Sequence, residues 1–165
     1  MERKSKRRAT LSLPSDVEIL VVRDFDAPSE WVFDAWSRPE WVQRWFGCST
    51  YAMTTCEMDF REGGRWRWGQ RDPATGVEHV FSGEYRDIAR PERLVFTERY
   101  EQVAGSDHVV RLAFEERGGL TTMTMRILHQ TAEMRDGHLK SGMEAGLHQA
   151  LDRIEEVLAA RALAA

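Results

Sequence analysis

The sequence predicts an α+β fold: an antiparallel sheet with one dry face, covered by a single layer of helix. Three features carry this reading. From residue 133 to about 162 the apolar residues Leu139, Met143, Leu147, Leu151, Ile154 and Leu158 recur at steps of three and four. At ~100° per residue they share one side of a helix, while His138, Glu144, His148, Asp152, Glu155 and Glu156 form a polar back. Upstream, short segments alternate apolar with polar residues, as in Trp66 and Trp68 against Arg65 and Arg67, or Met123 and Met125 against Thr122 and Thr124. A period of two marks strands buried on one face only. The segments are joined by turns of a few residues, which suit antiparallel neighbours.

Taken in order, Arg3, Lys4, Lys6, Arg7 and Arg8 precede any periodic segment, so residues 1–14 read as a flexible basic arm and 15–165 as one domain. Residues 17–24 (VEILVVRD) are rich in β-branched side chains and bounded by Pro14 and Pro28, which marks a first strand. Pro28 suits a first helical turn, and Trp31, Val32, Phe33, Ala35 and Trp36 give a short amphipathic helix. Ser37-Arg38-Pro39-Glu40 has the form of a capping box, opening a second short helix that stops at Gly47. Strands follow at 51–60, 65–71, 77–88, 93–100, 108–115 and 120–129, separated by Gly-, Pro- and Asp-containing turns. A tight hairpin centred on Gly118-Gly119 would set its own register. Phe114 would face Met123, Leu112 would face Met125, Val110 would face Ile127, His108 would face His129, and Arg111 would meet Arg126 on the wet face. A three-residue loop would shift the pairing by one. In the final helix Gly142 and Gly146 each cost ~1 kcal/mol against Ala, which points to close approach or open space beside them.

Composition bounds the function. With 42% of residues apolar or aromatic the chain can bury a real core, and its formal charge of -4 argues against a dedicated nucleic-acid binder. No apolar run could serve as a signal-peptide core or insert into a bilayer. Cys48 and Cys56 lack metal or redox spacing and read as two reduced thiols in a cytoplasm. There is no nucleophile elbow, phosphate-cradling glycine loop or paired-histidine zinc motif.

Four segments in order, VVRDFDAPSEWVFDAWSRPEWVQRWFG, MDFREGGRWRW, FSGEYRDIARPERLVFTE and GLHQALDRIEEVLA, resemble bacterial proteins named after the C-terminal domain of the heat-shock protein 90 ATPase activator. These belong to the START-like (SRPBCC, Bet v-type) superfamily, and the resemblance covers residues 17–160. It implies a helix-grip fold: a curved antiparallel sheet wrapped around a long C-terminal helix, with two short helices after the first strand and often a cavity between. Many relatives carry Trp where this chain has Leu147, which implies a larger or differently shaped cavity here. The superfamily includes lipid carriers, hormone receptors, cyclases, hydroxylase domains and co-chaperones, so function must be argued from the site.

The expected site is the space between the dry sheet face and the helix. Trp66, Trp68, Phe81, Tyr85 and Phe96 should line it from the middle strands, Leu112, Phe114, Met123 and Met125 from the last hairpin, and Met143 and Leu147 from the helix. Such a lining suits a flat or flexible apolar ligand. Glu98 shares the parity of Leu94 and Phe96, where a carboxylate must find a cation, take a proton or anchor a ligand. His79, His108 and His129, with Tyr100, fall at one end of the sheet as a cavity mouth. Three histidines can make a zinc site, but no second-shell partner is visible, so the reading is a pH-sensitive mouth without metal. The function expected is therefore binding of a small hydrophobic or amphipathic molecule, with no cofactor and no catalytic residue. Contact with an Hsp90-type chaperone and a cyclase- or hydrolase-like activity stay open as alternatives, and the oligomeric state is open too.

Overall fold

The structure, a computed structural model, describes residues 8–47 and 51–165. Cys48 and the basic residues before Arg8 lie outside the described residues. The chain opens with strands β1 (Thr10–Ser15) and β2 (Glu18–Phe25), followed by helices α1 (Ser29–Ser37) and α2 (Pro39–Trp45). A meander follows: β3 (Ala52–Met58), β4 (Arg65–Arg71), β5 (Glu78–Ala89), β6 (Arg93–Tyr100), β7 (His108–Arg117) and β8 (Leu120–Leu128). Helices α3 (Ala132–Lys140) and α4 (Met143–Ala164) close it. The strands form one antiparallel sheet in the order β1-β2-β8-β7-β6-β5-β4-β3. Because β2 pairs with β8 while β3 lies at the far edge, the α1–α2 connection spans the sheet and covers its end.

One face of the sheet is dry, as the alternation requires. In β2 the inner residues Ile19, Val21 and Phe25 are buried, and α4 lays Leu151, Ile154 and Leu158 over the same core. At 1.5 Å per residue, the 22-residue α4 is about 33 Å long, enough to cross the sheet. The sheet has irregularities in β3, between Met53 and Thr55, and in β5, between Tyr85 and Asp87, where a strand can bend. Close strand packing is visible at Gly83, where a Cβ would come 1.8 Å from the Thr97 carbonyl oxygen. That oxygen also accepts the Trp66 indole N–H at 3.2 Å.

The last hairpin has the register its turn dictates: Phe114 faces Met123, Leu112 faces Met125 and Val110 faces Ile127. Arg111 does face Arg126, and Glu18 on the neighbouring strand supplies the acid, 2.7 Å from Arg126. Three expectations need correction. Residues 10–14, assigned to a flexible arm, belong to β1, which pairs with β2, and Leu11 together with the preceding Ala9 packs against the core. The capping box at Ser37 does not form. Ser37 ends α1 and is buried, while Arg38 precedes α2 in extended conformation with no side-chain cap. A residue before proline is pushed out of the helical region, so Pro39 fixes the boundary one residue later. Finally, the single helix expected from 133 to 162 is two helices, broken at Gly142, whose φ is +84°. The four-residue spacing of Leu139, Met143 and Leu147 runs through the break and hides it.

Candidate functional site

Between the sheet and the helices α3 and α4 lie two adjoining chambers. The inner one, about 240 Å³, is walled by Trp36, Trp45 and Phe46 from the α1–α2 cover, by Trp68 and Phe96 from the sheet, and by Leu147 from α4. The outer one, about 790 Å³, is more polar, bounded by Tyr51, His79, Tyr100, His108, His129 and His138. Gln70, Phe81, Glu98, His138 and Met143 belong to both walls, so the chambers lie side by side.

The glycines of the helical layer make this space. A Cβ at Gly137, Gly142 or Gly146 would meet nothing within 4 Å. Gly137 and Gly142 border the outer chamber, and Gly146 the inner. Of the two explanations that the glycines allowed, open space is the one realised.

Polar groups concentrate at the junction of the chambers. Glu98 on β6 stands opposite His108 on β7, and His108 Nε2 lies 2.9 Å from Glu98 Oε1. His108 Nδ1 lies 3.0 Å from the Ser106 carbonyl oxygen, which can only accept, so that nitrogen carries a proton. Burial alone would raise the Glu98 carboxyl. The hydrogen bond from His108 and the charges of His108, His138 and His129 outweigh burial and hold it below its ordinary value. His108 answers in kind: burial would lower it, but Glu98, the Ser106 carbonyl and Asp107 hold it above its ordinary value. Each partner thus favours the charged form of the other.

His129, just past β8, and His138, on α3, complete the group. His129 Nε2 and His138 Nδ1 are 2.9 Å apart, and the three rings have centroids 4.7 to 5.3 Å from one another. Burial, then the charges of His108 and His138, push His129 down to about 4. His138 is lowered for the same reasons, by burial and then by His108. Both are neutral near pH 7, and His129 Nδ1 is buried without a protein partner. His79 stands apart from these, its Nδ1 2.6 Å from the Tyr100 hydroxyl and its ring stacked between Tyr51 and Tyr100. Among the described residues no group of three or more His, Cys, Asp or Glu is arranged to hold a metal ion.

The residues expected at the site therefore divide. Trp68, Phe81, Phe96, Glu98, Met125, Met143 and Leu147 border the chambers, as do the mouth residues His79, Tyr100, His108 and His129. Trp66, Tyr85, Leu112, Phe114 and Met123 are packed in the core and border neither chamber. The partner that Glu98 finds is a histidine, His108. His138, placed by helical spacing on the polar back, turns inward, because α3 is a separate helix with its own axis. Trp36 and Trp45 are further wall residues that sequence reasoning missed.

A second missed residue is Arg23, whose side chain is fully buried among the inner residues of β2. Its guanidinium lies 2.9 Å from Asp152 and 2.5 Å from Glu155, so two acids on the supposed polar back of α4 clamp that helix to the sheet. The alternation of VEILVVRD already put Arg23 on the face of Ile19 and Val21. Asp34 on α1, likewise buried, receives Arg90 at 2.6 Å and Arg161 at 3.0 Å, tying α4's far end to the helical cover.

Comparison with known proteins agrees with this architecture. The chain is similar to a protein from Rhodobacter sphaeroides, with 25% identity, a TM-score of 0.85, and coverage of 92% of this chain and 99% of that one. A protein from Nitrosomonas europaea shares the fold at 21% identity and TM-score 0.81, over 92% of this chain and 99% of its own. An AHSA1-like protein from Aeromonas hydrophila does so at 20% identity and TM-score 0.70, over 87% and 94%. No curated protein matches the chain. No helix among the described residues is long and apolar enough to cross a membrane. Residues 26–159 match the family model described as activator of Hsp90 ATPase homolog 1-like protein, and the chain belongs to that family, within the START-like superfamily and with its helix-grip fold.

Proposed function

We propose that this protein binds a small amphipathic molecule in the two-chambered cavity, its apolar body in the inner chamber and its polar end among the histidines. The observation that carries the reading is that an aromatic inner chamber adjoins a more polar outer one across the shared walls Phe81, Glu98, His138 and Met143. Concave, mostly apolar spaces with a few convergent polar groups are what small-molecule sites look like. The function is binding within the cytoplasm, with no covalent step assigned to the polar groups.

The test is native against denaturing mass spectrometry of protein expressed in its own host and purified gently. A reproducible extra mass that is lost on denaturation, and that is absent from Leu147→Trp, is the expected result. A bare wild-type chain, together with failure of every apolar probe to bind, would overturn the reading. Contact with an Hsp90-type chaperone, suggested by the family's description, predicts instead a complex that survives Leu147→Trp and fails on changes to the outer surface.

A further inference from the structure

The charges around the cavity specify the kind of molecule it accepts. Neither chamber's lining contains Lys or Arg among the described residues. The carboxylate in both linings is Glu98, and it is matched by His108 at 2.9 Å. The other polar wall groups are hydroxyls, an amide and imidazoles: Tyr51, Gln70, Ser106, Ser141, the bonded pair His79 and Tyr100, and the His129–His138 pair. A single hydrogen bond joins His129 and His138, so at least one of the two facing nitrogens is unprotonated. Two nearby arginines are paired with acids and belong to neither lining: Arg99 with Asp107 at 2.9 Å, and Arg135 with Asp136 at 2.8 Å.

Building on the cavity reading, we propose that the site selects uncharged amphipathic molecules. The favoured ligand has a flat apolar body and a neutral hydrogen-bonding head such as a hydroxyl, carbonyl or weakly basic amine, and carboxylates, sulfonates and phosphates are rejected. An anionic head entering the outer chamber loses hydration, finds no lysine or arginine among the described wall residues, and faces the Glu98 carboxylate. A cationic head meets a Glu98 carboxylate that already accepts from His108 and would have to share it with that ring, whose pairing with Glu98 favours its own charged form. A neutral head incurs neither cost. The neutrality of His129 and His138 near pH 7 is consistent with this. Inside, Trp36, Trp45, Trp68 and Phe96 offer ring faces and edges to a planar body.

A matched pair of fluorescent probes tests the selection: N-phenyl-1-naphthylamine, which is uncharged, and 1-anilinonaphthalene-8-sulfonate, which adds one sulfonate to the same body. Titrated into the full chain at neutral pH, the neutral probe should bind, and the sulfonate should bind roughly tenfold or more weakly. Leu147→Trp should abolish neutral-probe binding, and His138→Lys should strengthen sulfonate binding roughly tenfold by adding the missing cation. Because α3 buries no residue fully, His138→Lys should leave the fold intact, checked by its circular dichroism. Equal or tighter binding of the sulfonate by the wild type overturns the charge selection and leaves the cavity reading standing. Neutral-probe binding that persists in Leu147→Trp, or a sulfonate affinity unmoved by His138→Lys, places the probes elsewhere and also overturns it. If neither probe binds the wild type, the selection and the cavity reading fall together.

Discussion

The four ionisable side chains where the chambers meet respond to pH in opposite ways. His108 is held above its ordinary value, so its contribution to stability is complete below ~6.5 and fades as pH rises through its folded value. Glu98, held below its ordinary value, contributes above ~4.5 and loses that contribution as pH falls through its folded value. His129 has its folded value lowered to about 4, so between ~6.5 and that value the unfolded chain takes up a proton that the native one refuses. His138 acts in the same direction. Stability should therefore fall as pH drops below ~6.5, with His129 contributing on the order of 1–2 kcal/mol after screening by solvent in the open outer chamber. Thermal melts of the wild type and His129→Gln across this range check it: the variant's midpoint should fall less steeply, and parallel profiles would refute the assignment. Glu98 was legible as unusual because parity alone put it on the dry face. Its partner was not, since the loop between β6 and β7 left their register open until Glu98 was seen opposite His108.

At the level of elements, the junction of α3 and α4 shows what helical periodicity conceals. Thr131 caps α3 by accepting the Met134 N–H at 3.1 Å, and Ser141 ends it. Gly142 then takes a left-handed conformation with φ of +84° before α4 begins. Two glycines four residues apart should therefore respond oppositely to alanine. Gly142→Ala has open space but strained backbone, and should destabilise by about 1–2 kcal/mol. Gly146→Ala lies within α4 with ordinary helical backbone and nothing within 4 Å, and should stabilise by up to about 1 kcal/mol while narrowing the inner chamber. Urea unfolding of the two variants reads both signs; a stabilised Gly142→Ala would contradict the break. The turn beside Gly142 could not be read beforehand, because Gly142 and Gly146 look alike in sequence and differ only in backbone conformation.

For the whole molecule, α4 is held at two points by buried charge: Arg23 of β2 between Asp152 and Glu155, and Arg161 on Asp34 of α1. Removing one partner from such a contact leaves an uncompensated buried charge, so these clamps fix where the helix lies. Helix α3, by contrast, buries no residue fully and yet forms a wall of the outer chamber. Amide hydrogen exchange should accordingly be at least ~100-fold faster along α3 than in the part of α4 that carries Leu151, Ile154 and Leu158. Equal protection would mean that α3 opens only with the whole domain. The sequence by itself determined the fold class, nearly all the strands and the family, and narrowed the last hairpin's register to two choices. Each rests on a local period, a turn or a motif that neighbouring residues specify together. Only the tertiary structure decided that β1 is ordered, that one helix is two, that His138 faces inward, and that the middle of the dry face is solid core while its end is hollow. Those outcomes depend on where separate elements come to rest against one another. A residue's parity says which face it joins, and only packing says whether that face meets another side chain or open space.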